Sequence, residues 1–354
     1  MIQKVLYGML VLVPITILLD YFGKGGHSLI FVLSALSLVP LAGVLGSATE
    51  ETAIYTGPKI GSLLNATLGN MAELIIAFAA LREGLHSVVR ASIAGSIIGN
   101  ILIVLGASLL VGGFKNGIQK FDPREASTNA TMMTLAVIAL VVPGLFYLTQ
   151  ADGMRLTLHH AERLSDGVAL IMLIIYAAYL YFTLFQKGVA PKHGARGEEK
   201  ASMPLWQAVA LLVVATIAVV VMSEILVGVI EPTAESWGLS DAFIGLIIIP
   251  LVGNVAEHMV AVKAAYNDDM DLSMGIALGS GLQVALFVSP VLVLLGELIN
   301  KPIPIVFNTW ELIALIAAVL LAVAISQDGE SNWLEGAQLI SVYLILATAF
   351  YFAG

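Results

Sequence analysis

The chain has 354 residues, 59% hydrophobic and only 12% charged, with a mean hydropathy of +0.95. An ordinary soluble domain carries about 25% Asp, Glu, Lys and Arg, so this composition excludes a water-soluble globule and points to a bilayer. A net charge of −9 without a large Lys/Arg block argues against a nucleic-acid partner, and zero cysteines exclude disulfides and thiolate metal sites.

A helix that spans a bilayer needs about 20 mainly apolar residues. Eleven stretches qualify: 5–22, 28–56, 63–82, 88–112, 127–149, 166–186, 205–230, 240–264, 272–297, 305–326 and 333–353. The first, VLYGMLVLVPITILLDYF, has no small-residue cleavage site and is followed by further apolar spans, so it reads as a retained helix rather than a signal peptide. The second is longer than needed and ends at Gly57-Pro58, which predicts a tilt or kink. The most polar linker, KGVAPKHGARGEEKASMP at 187–204, falls near mid-chain. Trp206, Trp237, Trp310 and Trp333 all lie near span ends, where interfacial aromatics belong.

Basic residues set the expected orientation. With the N-terminus inside, the cytoplasmic segments hold Lys4, Lys59, Lys115, Lys120, Arg124, Lys187, Lys192, Arg196, Lys200 and Lys263. The opposite side holds only Lys24, Arg82, Arg90, Arg155, Arg163 and Lys301. The excess predicts a cytoplasmic N-terminus and an outer C-terminus.

Two spans share a signature. GNMAEL begins at Gly69 and GNVAEH at Gly253, 184 residues on (253 − 69). A gap-free alignment of 69–96 with 253–280 pairs Asn70 with Asn254, Glu73 with Glu257, and Ser96 with Ser280. Glu73 lies on the third span and Glu257 on the eighth. Five spans separate them, an odd number, so the two copies cross the membrane in opposite directions. Inverted repeats of this kind mark secondary transporters, with substrate sites near the midplane. The expected fold is an all-α polytopic membrane protein of about eleven transmembrane helices. It comprises an extra helix (1–27), a five-helix repeat (28–186), a cytoplasmic linker (187–204) and a second five-helix repeat (205–354).

Residues three apart share a helix face. Asn70 therefore projects with Glu73, Asn254 with Glu257, and Ser280 with Gln283. Two carboxylates and two amide oxygens make a hard, oxygen-only metal site, which suits Ca²⁺. The ring of Pro250 is expected to free the Leu246 carbonyl as a further ligand. Small residues around each Glu, among them Gly253, Gly279 and Gly281, permit close backbone approach.

Charge suggests the mechanism. Each bare carboxylate in hydrocarbon costs about 2.5–3.5 kcal/mol on the mildest scale. One divalent cation or two protons removes that cost, and a site that crosses only when neutralised exchanges one for the other. Glu50 in SATEETAIY and Glu224 in VMSEILVG sit toward opposite mouths and are candidate relays on the ion pathway. His258 is about 100° around the helix from Glu257 and tunes the site rather than ligating calcium. Polar membrane residues also serve as interhelical glue. That competing reading applies to Asn70 and Asn254 and more strongly to Ser96, Ser280 and Gln283. Asp268, Asp269 and Asp271 read as solvated loop, and the Lys and Arg residues as topology determinants.

At these residues the chain resembles the calcium/proton exchangers of the cation/calcium antiporter superfamily. The resemblance rests on GNMAELIIAFAAL, on GNVAEHMVAVKAAYNDDMDLSMGIALGSGLQVALFVSPVLVLLG, and on SATE and SEILV in the preceding helices. It implies that Glu73 and Glu257 carry cation and protons, and that Asn70, Asn254, Ser280 and Gln283 line the site. Glu50, Glu224 and His258 would act along the pathway. No cofactor is expected beyond the transported Ca²⁺ and H⁺, and other divalent cations, lipid and a homo-oligomer are compatible partners. The basic central linker and the lack of a long N-terminal extension point to a compact prokaryotic plasma-membrane exchanger. The nearest rival is a sodium/calcium exchanger of the same superfamily, and a passive channel is the next. His159-His160 in an outer loop is the only enzyme-like feature, with no convergent ligands and no hydrolase motif.

Overall fold

The computed structural model describes residues 2–150, 158–185 and 201–353 and is helical almost throughout. Most of the 187–204 linker, including Lys187, Lys192, Arg196 and Lys200, and also Arg155, lies outside the described residues. Helices dominate because backbone amides in hydrocarbon have no water to bond, so each segment must satisfy its own. Hydroxyls are handled likewise: Thr16, Ser34, Thr49 and Ser165 each donate to the carbonyl four residues back.

Every expected span falls on a helix, though fewer than eleven of the described helices have the length and apolarity needed to cross a membrane. Among the described residues, eight helices are long and apolar enough to cross a membrane. A ninth arises if Ile230–Trp237 and Asp241–Val255, bent by 110°, form one span. Leu6–Tyr21 and Thr309–Ile325 are apolar but shorter. The four tryptophans do mark helix ends, at the second residue of Leu205–Gly228, the last of Ile230–Trp237, the second of Thr309–Ile325 and the first of Trp333–Ala353. His160 stands not in a loop but in the first turn of the Leu158–Phe185 helix.

The repeat extends beyond the aligned stretch. In the first copy a helix (His86–Gly99), a π-helical turn (Asn100–Leu105) and a second helix (Gly106–Asn116) follow one another. In the second copy the same series runs Met270–Gln283, Val284–Val288 and Ser289–Leu298. Adding 184 to 86 and 99 gives 270 and 283. The preceding turn matches too. Gly84 has φ +82°, and its counterpart Asp268 (84 + 184) has φ +65°, a left-handed conformation that glycine adopts freely and Asp tolerates.

The chain forms two compact units, and each takes helices from both sequence halves. One unit combines Met1–Val89 with Tyr181–Ala256, the other Arg90–Leu180 with Glu257–Ala353. In the first unit, Gly26–Thr56 packs along Leu205–Gly228, and Met71–Glu83 packs on the latter. Leu12–Tyr21 joins Gly26–Thr56 through a buried contact of Thr16 Oγ1 with Ser37 Oγ at 3.3 Å. In the second unit, Gly106–Asn116 packs on Trp333–Ala353, while Pro123–Gln150 takes Met270–Gln283 and Thr309–Ile325.

One end of the second unit carries a feature outside the all-helical expectation, a two-residue antiparallel ribbon of Gln119–Lys120 with Glu330–Ser331. The acids expected to be merely solvated turn out to be structural. Asp268 accepts from Gln119 Nε2 at 2.8 Å, Asp269 caps the next helix at Leu272 N, and Asp271 accepts from the Asp122 amide. The basic residues do more than fix topology as well. Lys115 donates to the Tyr266 carbonyl and lies 3.5 Å from its ring centroid, and Lys120 pairs with Glu330 at 3.5 Å.

Candidate functional site

The expected site residues are distributed over both units. The first unit holds Asn70, Glu73, Asn254, Glu50 and Glu224. The second holds Ser96, Glu257, His258, Ser280 and Gln283.

The two copies of Gly-Asn-x-Ala-Glu differ in backbone. In the first, helix Pro58–Leu68 ends before Gly69, and a new helix begins at Met71. Asn70 occupies the break, with φ −96° and ψ 28°, instead of sharing a continuous helical face with Glu73 as expected. Glu73 then falls in the first turn of Met71–Glu83, where the amide ends of the helix favour an anion. In the second copy, Asn254, Glu257 and His258 lie on one unbroken helix, Ile249–Tyr266. A π-helical turn, Ile244–Ile248, stands immediately before it and accommodates the ring of Pro250. The carbonyl in use is that of Pro250, which accepts from Asn254 Nδ2 at 3.2 Å.

Within the first unit the two motifs meet. Glu73 is 6% exposed, and Asn70 and Asn254 1% each. A Cβ added to Gly253 would stand 3.4 Å from Glu73 Cγ and 3.6 Å from its Oε1, so the glycine of one copy borders the carboxylate of the other. With its amide nitrogen spent on Pro250, Asn254 is left with a buried Oδ1 that has no hydrogen-bond partner. Since native interiors rarely strand such an acceptor, this oxygen calls for a cation or a donor. A buried carboxylate thus borders the glycine that precedes a buried amide oxygen without a partner.

Gly253 yields a direct prediction. Gly253→Val places methyl groups against the Glu73 carboxylate where only van der Waals space for a Cβ exists. Cation transport is expected to fall at least about tenfold while the thermal midpoint of the purified protein stays near wild type, because the neighbour displaced is one flexible side chain.

The second unit gathers hydroxyl and amide groups around its helix pair. Ser96 and Ser280 are buried, while Gln283, Glu257 and His258 are half-buried. Oε2 of Glu257 and Nε2 of His258 are both shielded from solvent. Ser280 Oγ accepts from Asn100 Nδ2 at 3.1 Å, and Asn100 Oδ1 is buried without a partner. Asn100 is the residue that sequence reasoning missed. It opens the π-helical turn and follows Ser96 by four residues in GSIIGN, one helical turn on, which was the available signal. Gly281 does sit at a close approach, since a Cβ there would lie 2.9 Å from Met133 Cε and 3.6 Å from Asn100 Cβ. Gly279 does not: a Cβ there would meet nothing within 4 Å.

The pathway acids divide. Glu50 is exposed, near the C-terminal end of Gly26–Thr56. Its neighbour Glu51 accepts from the backbone N–H and the hydroxyl of Ser202, tying down the start of the second half. Glu224 accepts from Arg82 at 2.7 Å, an ion pair absent from the sequence reading, which treats Arg82 as a topology determinant. No group of three or more His, Cys, Asp or Glu side chains that could hold a metal occurs among the described residues.

The fold defines an all-helical, multi-pass membrane protein. The family described as sodium/calcium exchanger protein matches residues 27–185 and 207–352, and the chain belongs to it. It is 43% identical over 369 residues to a Ca(2+)/H(+) antiporter of Synechocystis sp., with 99% of this chain and 98% of that protein covered. It is 42% identical over 329 residues to the Ca(2+)/H(+) antiporter ChaA of Bacillus subtilis, with 92% of each covered. Among solved structures, native YfkE matches with a TM-score of 0.84 at 38% identity, covering 99% of both chains.

Proposed function

We propose that the protein is a secondary antiporter that exchanges Ca²⁺ for H⁺ by alternating access. In this reading Glu73 and Glu257 take up either the cation or protons. Asn70, Asn254, Ser96, Ser280 and Gln283 supply further oxygens, and Asn100 joins them. Glu50, Glu224 and His258 act along the pathway. The observation that carries the reading is the surroundings of Glu73, a buried carboxylate bordered by Gly253 with the unpartnered Asn254 oxygen next in sequence. Such a carboxylate is costly while ionised and empty, and tolerable once a cation or a proton neutralises it. That difference couples the two ions. Two relatives of nearly full-length similarity, both named as Ca(2+)/H(+) antiporters, support the same cargo.

The orientation proposed has a cytoplasmic N-terminus in a prokaryotic plasma membrane, with export of Ca²⁺ driven by proton entry. The test is ⁴⁵Ca²⁺ uptake into proteoliposomes under an imposed pH gradient and, separately, an imposed sodium gradient. Uptake under the pH gradient alone is the expected result. Uptake only under sodium would assign the protein to sodium/calcium exchange, and uptake indifferent to both would make it a channel.

A further inference from the structure

Arg82 lies in the last turn of Met71–Glu83, the helix that carries Glu73 in its first turn. Its Nη1 donates to Glu224 Oε1 at 2.7 Å, and Glu224 lies about one turn before the end of Leu205–Gly228. Both side chains are about half exposed, at 53% and 52%. An exposed ion pair of this kind contributes little to stability, so holding two helices together is a weak account of it. Its electrostatic consequence is larger. An unpaired carboxylate on the ion pathway attracts cations electrostatically. Paired with a guanidinium, it does so far less. The repeat does not reproduce the arrangement, because the position matching Arg82 in the second copy is Tyr266 (82 + 184).

We propose that Arg82 is a positioning residue that sets the sidedness of cation affinity. Its guanidinium neutralises Glu224, so the pathway end that Glu224 marks holds a divalent cation weakly and favours release there. This rests on the exchange reading above. The arrangement suits an exporter, since Glu224 is expected toward the outer face, where cargo must leave.

The test is the KM for Ca²⁺ measured separately at each face, in proteoliposomes of known orientation. The chain has no cysteine, so a single introduced one reports orientation to an impermeant thiol reagent. Arg82→Gln is expected to lower KM about three- to tenfold at one face only. The effect should fade at high ionic strength, where the Debye length shrinks to about 3 Å. Arg82→Lys keeps the charge and should keep the wild-type KM, and in a Glu224→Gln background the further change Arg82→Gln should shift KM at neither face. If Arg82→Gln does not fold, Arg82→Ala removes the same charge and should show the same one-sided drop in KM. Equal KM shifts at both faces, or none, would overturn the proposal and leave the pair as a staple. Loss of gradient-driven exchange in the unmodified protein would instead overturn the exchange reading, and the proposal with it.

Discussion

Glu73→Gln and Glu257→Gln are each expected to lower pH-gradient-driven Ca²⁺ uptake at least about a hundredfold, with no loss of folded protein. Truncating one partner of a buried charge–charge contact with a ligand costs about 2–5 kcal/mol of binding, and each 1.4 kcal/mol is tenfold. Gln keeps the shape and one amide oxygen but can neither release a proton nor offer a charge to a divalent cation. The fold should respond in the opposite sense. Glu73 is buried among apolar helices, and a neutral amide there avoids the cost of an intramembrane carboxylate. The thermal midpoint in detergent should therefore stay level or rise. Uptake assays and thermal unfolding on the same preparations check both halves. A variant that loses transport and stability together would make Glu73 a packing residue.

The second large effect concerns stability alone. Gly336→Ala is expected to destabilise the protein by about 3 kcal/mol or more, at the top of the usual range for overpacking. A Cβ at Gly336 would collide with the backbone amide of Leu110 and would lie 2.5 Å from the Gly106 carbonyl oxygen. Neither can swing aside as a side chain could. The reciprocal position is close but less tight: a Cβ at Gly106 would lie 3.0 Å from Leu339 Cβ and 3.2 Å from the Gly336 carbonyl oxygen. Two glycines thus let the Gly106–Asn116 and Trp333–Ala353 helices touch through their backbones, the small-residue contact that membrane helices favour. Gly279→Ala is the control, because its Cβ enters open space and Ala is the better helix former. Size-exclusion profiles and thermal midpoints of the two variants should differ sharply, and similar values for both would contradict the close packing.

Much of the fold was legible because hydrocarbon leaves a chain few choices. Long apolar runs must be helices, and a carboxylate inside one stands out. The motif copies at Gly69 and Gly253 were readable for that reason. The 110° bend between Ile230–Trp237 and Asp241–Val255 was not legible, because length and composition do not show it. Backbone breaks were hidden too. The same Gly-Asn pair sits at a helix break in one copy and inside a helix in the other, a difference set by tertiary packing rather than by the motif. Partners distant in sequence were the least visible. Arg82 meets Glu224 across 142 positions, and Asn100 meets Ser280 across 180. Charge counting could only assign Arg82 to a membrane face, and Asn100 lacked the repeat partner that drew attention to Ser96, since its counterpart is Val284 (100 + 184).

The central claim is that cation and protons use the same carboxylates in turn. Its most direct test is proton movement caused by Ca²⁺ itself. Proteoliposomes would carry a trapped pH dye, start with equal pH on both sides, and have their membrane potential clamped. On addition of external Ca²⁺, the account predicts proton efflux in step with Ca²⁺ entry, and neither flux in Glu73→Gln. Ca²⁺ entry with an unchanged internal pH would contradict it.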